Sequence, residues 1–294
     1  MFFMNALCVL AILAAPDPDL QNRLDRLVAE LEQSRQDYFV PGMTLGVVKD
    51  GEIVLVKAFG VKDLETGEPM SVDTPMPIGS STKAFTSTAI GVLVDEGKLD
   101  WDDAVIQHLP ALDIRIQSDD PDDVATIRDL LCHRTGYPRM GVLWAGLEVE
   151  PEIIFETVSR AEPQADFRRS FLYNNIMYLA AGEASAAAAG QSWEELVQSR
   201  IIDPLGMDQT IMVADTPPEI ELMSRGYMWN TDIDDYDLQP FRVIDNCSPA
   251  GSICSTPEDM ARWVQFLLAQ GMSGDERLIS DGSLAETVDP HIQM

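Results

Sequence analysis

Apolar residues near the start of the chain recur at helical spacing. Leu20, Leu24, Leu27, Val28 and Leu31 stand on an otherwise charged background, which predicts an amphipathic helix over residues 18–38. The period then changes. Residues 45–48 and 53–56 are short runs rich in branched apolar side chains, separated by Lys49-Asp50-Gly51-Glu52, and an Asp-Gly pair between such runs predicts an antiparallel hairpin with a tight turn. Helical spacing returns after a polar, glycine-containing stretch: Phe85, Ala89, Val92 and Leu93 share one face of a helix that begins near Ser80 and stops at Gly97. Residues 99–246 read as short helices joined by loops containing proline and glycine, with few alternating strand patterns. Thr126 with Asp129 resembles a capping box, and Thr256 with Pro257 and Asp259 repeats the device, so both mark helix starts. The small-residue run 184–189 predicts a helix packed closely on its neighbours.

A chain of 294 residues with 46% hydrophobic side chains is long enough to bury a sizeable core. Its 49 acidic and 20 basic residues give a net charge of −29, a field that repels phosphate backbones and anionic membranes, so neither nucleic acid nor a stable membrane insertion is expected. The excess acid reads as a solvated surface, with steering of a cationic substrate as the alternative. Cys8, Cys132, Cys247 and Cys254 lack metal-type spacing, and His108, His133 and His291 are scattered, so no metal site is expected and no cofactor is implied. The apolar run 6–15, which gives way to Pro16-Asp17-Pro18-Asp19, resembles the core of a signal peptide and is too short to span a bilayer, although no basic residue precedes it. Residues 1–15 are therefore expected to be a signal peptide and the protein to be periplasmic or secreted, with a cytoplasmic location as the alternative. Removing Cys8 would leave an odd number of cysteines, which argues for buried thiols over a disulfide framework.

Two short segments carry candidate chemistry. Ser80-Ser81-Thr82-Lys83 sets a hydroxyl and an amine three residues apart, on one face of a helix and within reach of each other. A serine hydroxyl is a weak nucleophile until a neighbour takes its proton, and a partly buried lysine of lowered pKa does this. At a helix start, exposed backbone N–H groups would stabilise developing negative charge. Taken alone, the same residues read as a helix cap and a solvated lysine. Tyr173-Asn174-Asn175 precedes the apolar helical stretch Ile176, Met177, Leu179 and Ala180. There Asn175 is either an N-cap or a group that orients the lysine or a substrate amide, and Tyr173 either a packed aromatic or a proton relay.

The order of these segments decides between the readings. Pro77-Ile78-Gly79-Ser80-Ser81-Thr82-Lys83-Ala84-Phe85-Thr86 resembles the nucleophile segment of the class C β-lactamase, D-Ala-D-Ala carboxypeptidase and esterase family of penicillin-recognising serine hydrolases. The element that ends in His133-Arg134-Thr135-Gly136 is similar to that family's His-x-x-Gly loop, and Tyr173-Asn174-Asn175, with Tyr178 and Gly182-Glu183 after it, to its Tyr-x-Asn element. Pro204-Leu205-Gly206-Met207, Ala250-Gly251 and Asp259-Met260-Ala261-Arg262-Trp263 follow in the same order. The resemblance implies an α/β (α+β) fold, with an antiparallel sheet flanked by helices beside a mostly helical domain. It assigns residues 18–294 to one β-lactamase-related domain, with 18–97 and 250–294 on the sheet side and 98–249 in the helical part. It implies catalysis by Ser80, Lys83 and Tyr173, with Asn175 binding substrate, on an ester, peptide or β-lactam carbonyl of a small molecule or peptide. The family's third motif, Lys-Thr-Gly or His-x-Gly, is not found, and His291 has no glycine after it. The C-terminal sheet strands are therefore expected to be missing, and a non-catalytic or truncated penicillin- or peptide-binding relative is the alternative. Losing one oxyanion donor costs about 3 to 4 kcal/mol of transition-state stabilisation.

Overall fold

In the computed structural model, which describes residues 18–147, 149–212 and 221–293, the amphipathic N-terminal pattern becomes helix α1 (Pro18–Asp37). Arg35 ties off its end: the guanidinium pairs with Glu32 one turn back at 2.8 Å and donates to the carbonyls of Val40 at 2.7 Å and Pro41 at 3.2 Å. The helix's own last carbonyls are taken by the turn that follows, where Ser34, Arg35 and Gln36 accept from the N–H groups of Tyr38, Val40 and Phe39 at 2.9, 2.9 and 3.2 Å. This segment belongs to one unit, Met1–Pro41, and the rest of the chain, Gly42–Met294, forms a second. The apolar run 6–15 lies outside the described residues.

The second unit begins with the predicted hairpin, β1 (Gly42–Lys49) and β2 (Glu52–Gly60), paired antiparallel with Lys49 opposite Glu52. Asp50 and Gly51 both have positive φ, 53° and 83°, the backbone that a two-residue turn of this twist requires. After β3 (Met76–Pro77) and a 3₁₀ turn, Gly79–Ser81, come α2 (Thr82–Asp95), α3 (Ile127–Leu131), α4 (Pro151–Val158), α5 (Asn175–Ala189) and α6 (Trp193–Val197). Strands β4 (Gly226–Asn230) and β5 (Asp235–Gln239) precede α7 (Ser248–Gly251), β6 (Cys254–Ser255), α8 (Pro257–Leu268) and α9 (Asp281–Glu286). The fold is mixed α/β, as the sequence implies, and no helix among the described residues is long and apolar enough to cross a membrane.

Helix α2 sits at the centre of the second unit, packed against α5, α6, α7 and α9. Phe85, Ala89, Ile90 and Leu93 have no exposed surface, and Phe85 stacks on Trp263 of α8 with ring centroids 4.1 Å apart. Burial on this scale offsets the entropy of fixing the helix and gives it a rigid axis. Gly97 ends α2 at a φ of 68°, with Lys98 N–H returning to the Leu93 carbonyl at 2.9 Å. Thr126 and Asp129 form the full capping box at α3. At α8 only half of that device appears: Thr256 accepts from the Asp259 N–H at 3.3 Å, but the Asp259 carboxylate instead accepts from Gln209 N–H and Thr210 Oγ1, both at 2.9 Å.

One segment departs from the reading of residues 99–246 as helical. Residues 226–239 are a β-hairpin, joined through residues 231–234, with Trp229 edge-on to Tyr236 at 5.0 Å across the strands. That loop carries no Asn-Gly or Asp-Gly pair, so the turn signal is absent, and cross-strand aromatic contacts stabilise the pair instead. The thiols of Cys247 and Cys254 are buried and that of Cys132 is half-buried.

Candidate active site

Pairing of β3 with β6 and a hydrogen bond from Ile78 N–H to the Ile253 carbonyl, 2.9 Å, hold the chain just before Ser80. Gly79 then turns it at a φ of 52°, a conformation that favours glycine. Ser80 lies in the 3₁₀ turn that leads into α2, exposed, while Lys83 one turn on is buried. The spacing read from the sequence is realised: Lys83 Nζ donates to Ser80 Oγ at 3.2 Å. Tyr173 arrives from just ahead of α5 with its Oη 2.7 Å from the same Ser80 Oγ.

The lysine is held from behind. Its Nζ donates to the Ala250 carbonyl at 2.6 Å, and the preceding carbonyl, Pro249, accepts from Thr86 Oγ1 at 2.7 Å. Thr86, fully buried, in turn accepts from the Trp193 indole N–H at 3.1 Å. Gly182 makes this arrangement possible, since a Cβ there would stand 2.2 Å from Pro249 Cγ. Burial lowers the Lys83 pKa, with Tyr173 acting in the opposite direction. A lowered pKa raises the fraction of neutral amine able to accept a proton.

His133 borders Tyr173 at 4.5 Å between ring centroids. Its carbonyl accepts the Leu172 N–H at 2.8 Å and its ring Nδ1 accepts the Asn174 N–H at 3.1 Å. A ring nitrogen that accepts a backbone N–H carries no proton, so the imidazole is neutral with its proton on Nε2. Burial first, then the nearby Lys83 charge, lowers the His133 pKa to about 4. The loop that carries His133 is fastened by Asp129, which is fully buried and accepts from Arg134 Nε at 2.6 Å, Arg168 Nη2 at 2.9 Å and Thr126 N–H at 3.0 Å.

Asn174, not Asn175, caps α5: its Oδ1 accepts from Ile176 N–H at 2.8 Å, and its amide donates to the Pro138 carbonyl at 2.6 Å. Asn175 lines a cavity of about 490 Å³ beside Ser80, and its buried Oδ1 has no hydrogen-bond partner. Trp144, Phe241, Ile244 and Cys247 share that cavity, and burial pushes the Cys247 thiol up to about 12, which keeps it protonated and unreactive at neutral pH. Burial also raises the pKa of Tyr178, so its phenol remains protonated, and its ring centroid lies 5.2 Å from Lys83 Nζ.

The arrangement thus places an exposed hydroxyl between two groups able to carry a proton, at the mouth of a cavity with one apolar wall. Of the residues singled out from sequence, Ser80, Lys83 and Tyr173 meet, and Asn175 lies on the cavity beside Ser80. Roles for the His133 ring, the Ala250 carbonyl and Arg139, whose guanidinium lies 5.3 Å from the Tyr173 ring centroid, were not read from the sequence. His133 stood in the sequence only as part of a His-x-x-Gly element, and carbonyls and isolated arginines carry no sequence pattern.

The Beta-lactamase family model matches residues 24–291. Unguisins hydrolase ungD' of Aspergillus campestris is 29% identical over 289 residues, covering 93% of this chain and 54% of that protein. The D-aminopeptidase of Brucella anthropi is 31% identical over 246 residues, covering 79% of this chain and 43% of its own length. The chain therefore spans about half the length of these relatives. Among solved structures, the octameric penicillin-binding protein homologue from Pyrococcus abyssi superposes with a TM-score of 0.75 at 27% identity, over 93% of this chain and 61% of that one.

Proposed function

Because the chain belongs to the beta-lactamase family, we propose that it is a serine hydrolase in which Ser80 forms an acyl-enzyme with an ester, amide or β-lactam carbonyl. Ser80 Oγ attacks the carbonyl carbon as its proton passes to the Lys83 amine or the Tyr173 oxygen. The resulting oxyanion forms beside the N-terminal end of α2, where the helix dipole favours negative charge. Collapse of the tetrahedral intermediate breaks the bond to the leaving group, which takes the proton from the same pair. Water, deprotonated by that pair, then releases the acid and restores Ser80 Oγ–H. Lys83 and Tyr173 share the base and acid roles. Asn175 orients the substrate amide or carbonyl.

A single observation carries this reading: Ser80 Oγ lies 2.7 Å from Tyr173 Oη and 3.2 Å from Lys83 Nζ. The test is hydrolysis of p-nitrophenyl acetate and butyrate, with Ser80→Ala as the matched control and fluorophosphonate labelling in parallel. Turnover and labelling that both vanish in Ser80→Ala are expected. Equal rates in the two proteins would remove Ser80 from the chemistry. Labelling of Ser80 without turnover would instead describe a relative that is acylated but does not release its ligand.

A further inference from the structure

A second cavity, of about 200 Å³, shares no lining residue with the cavity beside Ser80. Trp101, Leu131, Phe171, Tyr178 and Ile292 give it apolar and aromatic walls, and the half-buried Cys132 also lines it. Most of its charged lining is engaged. Arg128 pairs with Asp102 at 2.8 Å and with Glu286, the His291 carbonyl accepts from Arg134 Nη1 at 2.8 Å, and the His291 ring meets the Glu286 carbonyl at 2.9 Å. The remaining ionic group of the lining is Asp289, an exposed carboxylate, so the cavity presents no uncommitted cation to an anion.

The Tyr178 hydroxyl is the exception. Tyr178 is only 8% exposed, yet its Oη has no hydrogen-bond partner among the described residues. Other tyrosines of the fold are paired: Tyr137 Oη accepts the Arg115 N–H at 3.0 Å, Tyr173 Oη meets Ser80 Oγ at 2.7 Å, and Tyr227 Oη accepts the Leu64 N–H at 2.9 Å. Buried phenols ordinarily find such partners, because a hydroxyl withdrawn from water without one is destabilised. Burial keeps this phenol protonated at neutral pH, so the group it lacks is an acceptor.

We propose that this second cavity binds a neutral, single-ring aromatic compound whose carbonyl or ether oxygen accepts a hydrogen bond from Tyr178 Oη. Size sets the limit to one ring: an apolar cavity of about 150 Å³ holds benzene, and the volume here adds room for a short oxygen-bearing substituent. Such an occupant lies against Phe171 and Tyr178, whose ring centroids are 5.4 and 5.2 Å from that of His133, the residue whose ring accepts the N–H next after Tyr173. The site is independent of the chemistry assigned to Ser80.

The test uses acetophenone and its hydrocarbon isostere α-methylstyrene as probes, in the wild type, Tyr178→Phe and the cavity-filling variant Ile292→Trp, with thermal melts as the check on folding. Binding is read by calorimetric titration and by protection of Cys132 from N-ethylmaleimide. Alkylation is followed by intact mass against Cys132→Ser, at mildly alkaline pH because burial raises the Cys132 pKa. Acetophenone is expected to slow Cys132 alkylation severalfold. Its Kd should rise about three- to tenfold in Tyr178→Phe, the worth of one hydrogen bond, while that of α-methylstyrene does not rise. Ile292→Trp should abolish binding of both probes. If Tyr178→Phe does not fold, Ile292→Trp decides, and if Cys132 resists alkylation, calorimetry decides. No binding by the wild type, an equal Kd for acetophenone in the variants, or binding that leaves a reactive Cys132 unprotected would each overturn the proposal; the last would place the probe in a different cavity.

Discussion

His133 holds the chain on both sides of Tyr173. Its carbonyl takes the N–H of Leu172 at 2.8 Å and its ring takes the N–H of Asn174 at 3.1 Å, so the residue that presents a hydroxyl to Ser80 is suspended between two bonds to one histidine. The ring bond requires an acceptor at Nδ1.

Replacing that acceptor tests the suspension. His133→Phe keeps a ring beside Tyr173 but leaves the Asn174 N–H unpaired, with an expected loss of about 1–3 kcal/mol in stability. Esterase turnover is expected to fall ten- to hundredfold, about what a misplaced proton carrier costs. His133→Asn, whose side-chain oxygen can accept the same N–H, should recover part of the rate. Urea melts and kcat on p-nitrophenyl butyrate read both effects.

The same histidine gives a stability profile with a definite sign. Its pKa falls from 6.5 in the unfolded chain to about 4 in the fold, so between these values the unfolded chain binds the extra proton. Its contribution is fully present above pH 6.5 and is lost as pH falls toward 4, by at most about 3 kcal/mol. Urea midpoints from pH 7 to 4 should therefore decline more steeply in the wild type than in His133→Phe, and parallel curves would refute the assignment.

Burial holds the Lys83 amine below the ordinary lysine range despite the opposing pull of Tyr173. A base must be neutral to accept a proton, so kcat/KM should rise with pH through an apparent midpoint below the free-lysine value. Tyr173→Phe should lower kcat by about a hundredfold or more while leaving the melting curve close to wild type. A rising limb centred at the free-lysine value would count against Lys83 as the base.

Two glycines separate backbone strain from displacement of the site. Gly190 has a φ of 70° with open space where a Cβ would go, so Gly190→Ala should cost about 1 kcal/mol and leave turnover intact. Gly182→Ala would press its methyl into Pro249 and move the Ala250 carbonyl off Lys83, with an expected loss of about 1–3 kcal/mol and a clear fall in kcat. Thermal melts alongside kcat for the pair would show whether activity follows stability alone.

What the sequence revealed depended on how local each signal was. The β1–β2 hairpin was legible because an Asp-Gly pair at positive φ is a short-range device, and the Ser80–Lys83 contact because both residues ride on one helical turn. Tyr173 is brought to Ser80 by the fold alone, so only the resemblance to a family indicated its place. Asn174 and Asn175 are adjacent and chemically identical, and which of them caps α5 is decided by backbone angles that the sequence does not display. The half-formed box at Thr256 fails because the 209–210 segment competes for the Asp259 carboxylate, a contact nearly fifty residues away in the chain.

The cavity wall and the proton-carrying groups are drawn from different stretches of chain. Arg225, Phe241 and Arg242 flank the β4–β5 hairpin, which meets the 63–65 segment through Tyr227 Oη: this atom accepts the Leu64 N–H at 2.9 Å and donates to Asp63 at 3.1 Å. None of the bonds that hold Lys83, Tyr173 or His133 passes through that hairpin. On the proposed reading, variation in residues 225–244 changes which molecules dock while the Ser80 hydroxyl keeps its neighbours. That division of labour makes the hairpin side the place where natural divergence or a mutant library changes diet without rebuilding the engine.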